Sequence, residues 1–570
     1  MTEACIKTNT GEKKRSLRDF LKPVENELWE HHFGTRSADR THSKGKRKPI
    51  TASSGGPTAL SSGAACGENF ETVVAETVIP LRAKPTSSTA IPWPRGSGTV
   101  GQLLEFARDA EVFRDADDAA YATLPVSGRT VRVRSQAFRD WLTARFWLTG
   151  EQRPSKPQMR DALDDIDTWV RMAGEVRPVG RRVAEVEGCL YLDLGGADGR
   201  AVEIDAEGWR IVGSAPVNFV RAPGMGALPE PVRGGSIESL RAYVLATDDS
   251  FLTAVAWLLS TLRPNGPYPL LYLTGAQGSA KSTTATFLKT LIDPHEAMLR
   301  GLPSTEEDLF VGSLSGQVLA FDNISRISDA MSDALCRLAT GATFTTRRRF
   351  TDTDEVRITA ARPMLLTGIV DATGRPDLAD RLFRLELQRI PDGQRVSERA
   401  LHASFETDRP MLLGALLDLA VEGLRASGEP RLQSGMRMID AVEWSQACLG
   451  RLATEEKLIE TLRSSQDLVV ADLIALNPVA QAILKIVHQR GEWRGTATQL
   501  LVEVRRLTPR EEHNVPRGSA QLSAEIHRLA TDLRKIGVEI ESRRAGRRGE
   551  RLILISASEE DPRTADGAGI

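Results

Sequence analysis

At 570 residues this chain is too long for a single core, and its 41% hydrophobic and 26% charged residues are those of an ordinary globular protein. A formal net charge of −2 excludes no partner, because the sign is unevenly spread: residues 1–50 hold twelve Lys+Arg against seven Asp+Glu. Five widely spaced cysteines with no Cys-x-x-Cys pair, and histidines without ligand spacing, argue against a disulfide framework or zinc site and fit a reducing cytoplasm. The longest apolar run, 251–262, is too short to span a bilayer and reads as a buried helix, so no membrane partner is expected.

Residues 1–95 read as a disordered basic, low-complexity tail rich in Gly, Ser, Thr, Pro and Lys. Residues 98–230 read as an α+β domain, with helical pattern at 100–110 and 135–149 and strand pattern at 183–194 and 201–212. Its carboxylates Asp115, Asp117, Asp118, Asp164, Asp165 and Asp193 are too few in apolar context to favour a metal centre over solvated surface. A Pro- and Gly-rich linker, 222–235, leads into an ATPase segment at 236–425. A helical connector (426–475), a C-terminal unit (476–556) and a short tail (557–570) complete the chain.

The informative stretch begins at the apolar run 270–274 and continues as Gly275-x-x-Gly278-x-Ala280-Lys281-Ser282, followed by a helical pattern through Ile292. Strand, glycine loop and helix, in that order, are the context in which backbone N–H groups cradle phosphates. ATP is therefore expected on Gly275, Gln277, Gly278, Ser279, Ala280, Lys281, Ser282 and Thr283. Lys281 reaches the outer phosphates, and the Ser282 hydroxyl is a ligand for Mg²⁺. Ala280 stands where a glycine is usual, and the expectation is that it keeps a helical backbone, since alanine resists a positive φ.

A second apolar run, 318–321, ends in Asp322, placed to hold Mg²⁺ with Ser282. Its neighbour is Asn323, which cannot take a proton, so the catalytic base stays open among a water oriented by Asn323 and the carboxylates Glu306, Glu307 and Asp308. Two β-prone runs then flank residues 351–354 as a hairpin. Arg347, Arg348 and Arg349 fall on its first strand and make both faces positive, which suits either a solvated edge or contact with a phosphate backbone. After a further strand at 363–369, Arg381 and Arg384 can reach a neighbouring subunit's γ-phosphate or pair locally with Asp377 and Asp380.

This order of elements resembles the superfamily 3 helicases, the AAA+ branch found in phage, plasmid and viral primase–helicases. The resemblance spans roughly 236–425. It rests on the loop Gly275–Ser282, the strand ending in Asp322, the run from Leu338 into Arg347, and the Arg-Pro-Asp-Leu-Ala-Asp-Arg381 segment. It implies a ring oligomer, a hexamer in that family, with Arg347 and Arg349 gripping one DNA strand in the pore. It makes Arg381 a finger acting on the neighbour's nucleotide, and it puts Thr367 where the family has a sensor asparagine. Ala280, Asn323 and Thr367 depart from the family pattern.

In the C-terminal unit, helical pattern at 477–488, 495–504 and 520–536 precedes two strands, 538–542 and 551–555. Between them lie Arg543, Arg544, Arg547 and Arg548, and Arg551 opens the second strand. Three helices and a β-ribbon read as a winged helix that binds DNA, duplex being one candidate, through this arginine cluster. The fold class expected is α/β: a P-loop AAA+ core with an α+β N-terminal domain and a C-terminal winged helix. The function expected is an ATP-dependent DNA helicase or translocase of mobile-element replication, the alternative being a nucleotide-gated DNA-binding initiator or regulator.

Overall fold

The computed structural model describes residues 91–557 apart from 150–152, 197, 348–354, 369–375, 392, 394, 429–430, 432, 509–514 and 546–549. The chain divides after Pro92, and all the helices and strands described belong to the unit that begins at Trp93. The tail expected at 1–95 and that at 557–570 fall almost wholly outside the described residues.

The unit opens with helix α1 (Gly98–Ala107), the antiparallel strands β1 (Glu111–Arg114), β2 (Ala120–Thr123) and β3 (Thr130–Arg132), and helices α2 (Gln136–Trp147) and α3 (Lys156–Ala173). The amphipathic stripe Met159, Leu163, Ile166 and Val170 of α3, at helical spacing, closes a core of its own with Phe138, Trp141 and Leu142 of α2. The sequence expectation did not include this helix, although Ser155 with Gln158 forms a capping box at its start. The two longer runs read as strands each fold back as a hairpin. After a short β4 (Val179–Gly180) come β5 (Val183–Val186), β6 (Cys189–Asp193), β7 (Ala201–Ile204) and β8 (Trp209–Val212), an antiparallel meander in chain order, and then β9 (Asn218–Phe219), which pairs with β4. The meander's apolar residues Leu192, Val202, Ile204 and Trp209 join the large core below rather than that of α1–α3. The segment 98–230 thus contributes to more than one core, a small cluster of Ala184, Tyr191 and Val217 included.

The centre of the unit is a four-stranded parallel sheet of β10 (Leu270–Thr274), β11 (Leu319–Ile324), β14 (Met364–Gly368) and β15 (Leu382–Glu386), ordered β11-β14-β10-β15. Helices cover both faces, so its strands are apolar throughout rather than alternating. In β10, Leu271 and Leu273 face one core with Phe251 and Trp257 of α4 (Asp248–Thr261) and Phe287 and Leu288 of α5 (Lys281–Ile292). Leu270 and Tyr272 face the other, with Phe310 of α6 (Glu306–Gly312) and Met331, Leu335 and Leu338 of α7 (Asp329–Thr340). Strands β12 (Ala342–Arg347) and β13 (Glu355–Ala360) form a separate antiparallel hairpin, with Phe344 stacked on Phe310 at 5.3 Å between ring centroids.

The long helix α8 (Glu398–Arg425; the single turn Pro376–Ala379 is left unlabelled), then α9 (Ile439–Leu449) and α10 (Glu455–Leu476), follow β15. Last come helices α11 (Pro478–Arg490), α12 (Ala497–Leu507) and α13 (Ser519–Lys535), with a sheet of β16 (Glu492–Thr496), β17 (Val538–Ala545) and β18 (Glu550–Ala557) in the order β16-β18-β17. The first of these strands was not expected. It is too short to carry a clear period, and Thr496 ends it while capping α12 with Gln499. Among the described residues no single helix is long and apolar enough to cross a membrane.

Candidate functional site

The glycine loop leaves the C-terminal end of β10 and enters α5, whose first residue is Lys281. Gly275 has φ +144°, and a Cβ there would lie 2.7 Å from both the Leu387 carbonyl oxygen and Ser279 Oγ, so only glycine fits. Gly278 turns the chain back at φ +83°. Ala280 corrects the sequence expectation: it sits at φ +57°, ψ +34°, in the left-handed region. Holding a residue with a Cβ there costs about 1–2 kcal/mol, which the surrounding loop must offset. The Lys281 ammonium donates to the carbonyls of Gly275 at 2.8 Å and Ala276 at 3.2 Å, bracing the loop from inside. Gln277 is exposed at the tip and Thr283 half-buried in the first turn of α5. Ser279 is buried, and its hydroxyl has no hydrogen-bond partner among the described residues.

Three strand ends converge beside this loop. The Ser282 hydroxyl, at the start of α5, donates to Asp322 Oδ1 at 3.0 Å, although 40 residues separate them. Thr367, at the end of β14, donates its hydroxyl to the same oxygen and accepts from the backbone N–H of Asn323 at 3.2 Å. Parallel pairing of β14 with both β10 and β11 makes this convergence possible. Asn323 lies in an irregularity of β11 at φ +56°, a conformation that asparagine tolerates better than most residues. Of the carboxylates weighed as base, Glu306 is paired with Arg337, and Asp308 accepts from the Thr305 hydroxyl at 2.6 Å. The hydroxyl and carboxylate oxygens of Ser282 and Asp322 are a hard-oxygen pair, of the chemistry that suits Mg²⁺.

Arg381 stands at the other end of the sheet. Its carbonyl accepts from the N–H of Leu270, the first residue of β10, whereas the loop leaves after Thr274. At about 3.3 Å per residue, the length of β10 separates it from the loop of its own chain. Its guanidinium donates to the Asp377 carbonyl and lies 3.9 Å from that residue's carboxylate. Arg384 is instead committed within the sheet, donating to Thr274 Oγ1 at 3.1 Å and pairing with Asp472 at 3.3 Å. Burial pushes the Asp472 carboxyl up, and Arg384 opposes that shift.

Of the arginines expected on the hairpin, Arg347 closes β12 opposite Glu355, while Arg348 and Arg349 lie outside the described residues. In the C-terminal sheet Arg543 and Arg544 of β17 and Arg551 of β18 are exposed; Arg547 and Arg548 lie outside the described residues. Three of the carboxylates weighed in 98–230 are engaged separately. Asp193 is buried and held by Arg221 at 2.6 Å, Asp115 accepts from the backbone of its own turn, and Asp164 pairs with Arg134. Cys189, Glu203 and Asp205 do lie together, with ligand atoms within 4.8 Å, but Arg210 pairs with both acids.

Residues 237–472 match the family model of the actinomycete integrative conjugative element replication protein, and residues 479–565 match that of the C-terminal domain of the same RepA proteins. It is to these mobile-element replication proteins that the chain is similar. No curated protein matches it. Among solved structures, the apo NrS-1 C-terminal region is 12% identical with a TM-score of 0.37, covering 80% of this chain and 98% of that one. The SCCmec type IV Cch active helicase is 12% identical with a TM-score of 0.41, covering 79% and 93%.

Proposed function

We propose that this chain is an ATP-driven DNA translocase or helicase, of superfamily 3 type, that serves replication of a mobile element. The observation that carries the reading is the meeting of Ser282, Asp322 and Thr367 beside a glycine loop, at the ends of three adjacent parallel strands. ATP rests on Gly275 to Thr283, with its phosphates against the N–H groups of the loop and of α5. Ser282 and Asp322 hold Mg²⁺, which supplies charge neutralisation at the phosphates when bound. Thr367 fixes the orientation of the Asp322 carboxylate. The similarity to replication proteins over 237–472 supports the same reading.

Arg381 acts on the nucleotide of a neighbouring subunit in a ring, because it lies at the far end of β10 from its own loop. Arg347, Arg348 and Arg349 contact single-stranded DNA in the pore. The C-terminal unit, a winged helix, binds DNA through Arg543, Arg544, Arg547, Arg548 and Arg551.

A second reading has its own support. Ala280 in a left-handed conformation, Asn323 in place of an acid beside Asp322, and Thr367 in place of an amide suit a protein that binds ATP and turns it over slowly. Such a chain is a nucleotide-gated DNA-binding initiator. ATP hydrolysis with and without single-stranded DNA decides between them, using wild type, Lys281→Ala, Arg381→Ala and a mixture of the two variants. The motor reading expects DNA-stimulated turnover that each substitution lowers at least about a hundredfold, and that mixing partly restores because each variant supplies what the other lacks. Intact ATP binding with flat, negligible turnover leaves the initiator.

A further inference from the structure

On leaving β15 the chain runs beside the glycine loop. The Leu387 N–H donates to the Thr274 carbonyl at 2.9 Å, and the Leu387 carbonyl oxygen lies 2.7 Å from where a Cβ on Gly275 would stand. Gln388 is anchored by an N–H bond to the Leu245 carbonyl at 2.8 Å, and Ser397 then caps α8. Between these fixed points Arg395 reaches back to the loop. Its Nη2 lies 3.3 Å from the position that a Cβ on Gly278 would occupy. The glycine at 278 therefore serves twice, providing the positive φ and leaving room for a guanidinium over the tip of the loop.

We infer that Arg395 is a phosphate contact supplied in cis to the nucleotide held by the Gly275–Ser282 loop. The inference rests on the nucleotide reading of that loop and deepens it. Lys281 is a single point charge braced by two loop carbonyls, which limits how many phosphate oxygens it can serve. A guanidinium adds a planar fork that meets two phosphate oxygens at once and stays charged at any working pH. It arrives from the segment after β15, whereas Lys281 arrives from α5, so the two cations approach the phosphates from different elements. The outer phosphates are the expected partners, since the inner end of the chain is taken by the N–H groups at the start of α5.

The test is a nucleotide series on the full chain: fluorescent N-methylanthraniloyl derivatives of ATP, ADP and AMP, titrated against wild type, Arg395→Ala, Arg395→Lys and Lys281→Ala. Removal of a charge-assisted pair predicts ATP binding about tenfold weaker in Arg395→Ala. The same variant should leave AMP binding within about twofold of wild type, with Arg395→Lys recovering part of the ATP affinity. A purely structural arginine would weaken all three nucleotides alike, and that outcome overturns the inference. So does ATP binding unchanged in Arg395→Ala while Lys281→Ala abolishes it, a result that leaves the loop reading intact. Absence of ATP binding to wild type overturns the loop reading and the arginine's role with it. Arg395→Lys, which keeps charge and most of the volume, remains informative if the alanine variant does not fold.

Discussion

Asp532 is a carboxylate whose protonation the fold alters. It lies on α13, 2% exposed, and its Oδ1 has no hydrogen-bond partner among the described residues. Lys535 is 3.9 Å away but leans toward Asp380, to which it donates at 3.0 Å. Burial pushes the Asp532 carboxyl up to about 6, Lys535 pulls it down, and Asp380 adds to the rise. The folded chain thus holds this proton more tightly than the unfolded chain does. Its stabilising contribution is present in full below the ordinary carboxylate range and is lost as pH climbs to about 6. At neutral pH the ionised, buried carboxylate is a liability. Asp532→Asn is expected to raise stability at pH about 7.5 by on the order of 1 kcal/mol, discounted for solvent screening, with the gain shrinking as pH falls below about 6. Denaturant midpoints of both proteins across that pH range check this, and a gain that does not depend on pH would refute it.

Among elements, the β17–β18 ribbon is the most revealing. Its register places Arg544 directly across from Arg551, and Arg543 across from Leu552. Like charges opposite one another on a ribbon weaken it, so the arrangement acts against the ribbon's own stability. A polyanion that enters between them removes that repulsion. Replacing Arg544 and Arg551 together by alanine should leave the fold at least as stable as before and weaken duplex DNA binding. The slope of log affinity against log salt should fall by about 0.9 for each phosphate that the protein no longer neutralises. Fluorescence anisotropy over a series of salt concentrations measures it, and an unaltered slope would remove these arginines from the interface.

At the scale of the whole unit, one buried ion pair ties the meander to the helix that leaves the glycine loop. Arg182, fully buried just before β5, donates to Asp293 at 3.0 Å and to the carbonyls of Asp193 and Gly226. Asp293 ends α5, and its other oxygen accepts from the N–H groups of Gln317 and Val318 on the approach to β11. The pair therefore fixes the base of the element that presents Lys281 and Ser282. Arg182→Met would strand the carboxylate in the core, at a cost of about 3–5 kcal/mol. Urea unfolding of wild type and variant should show it as a lowered midpoint with the slope unchanged. A loss under about 1 kcal/mol would mean that water reaches the site.

Local sequence was enough to find the glycine loop between a strand and a helix, the apolar strand that carries Asp322 and the arginine ribbon. In each case the chemistry is carried by neighbours in the chain: glycines at fixed spacing, an apolar run ending in an acid, five arginines within nine residues. It also placed seven of the thirteen labelled helices to within a few residues, because their apolar stripes and caps are short-range patterns, but it gave no place to α3, α6, α7 or α8. It did not show that Ala280 adopts a left-handed backbone, that 98–230 feeds more than one core, or that Thr367 donates to Asp322. The last of these depends on which strands pair, and parallel pairing brings together residues about forty or more positions apart without leaving a mark on either segment. Arg395 belongs to the same class. Nothing in its local sequence distinguishes it from any exposed arginine, and only the path of the chain after β15 sets it over Gly278.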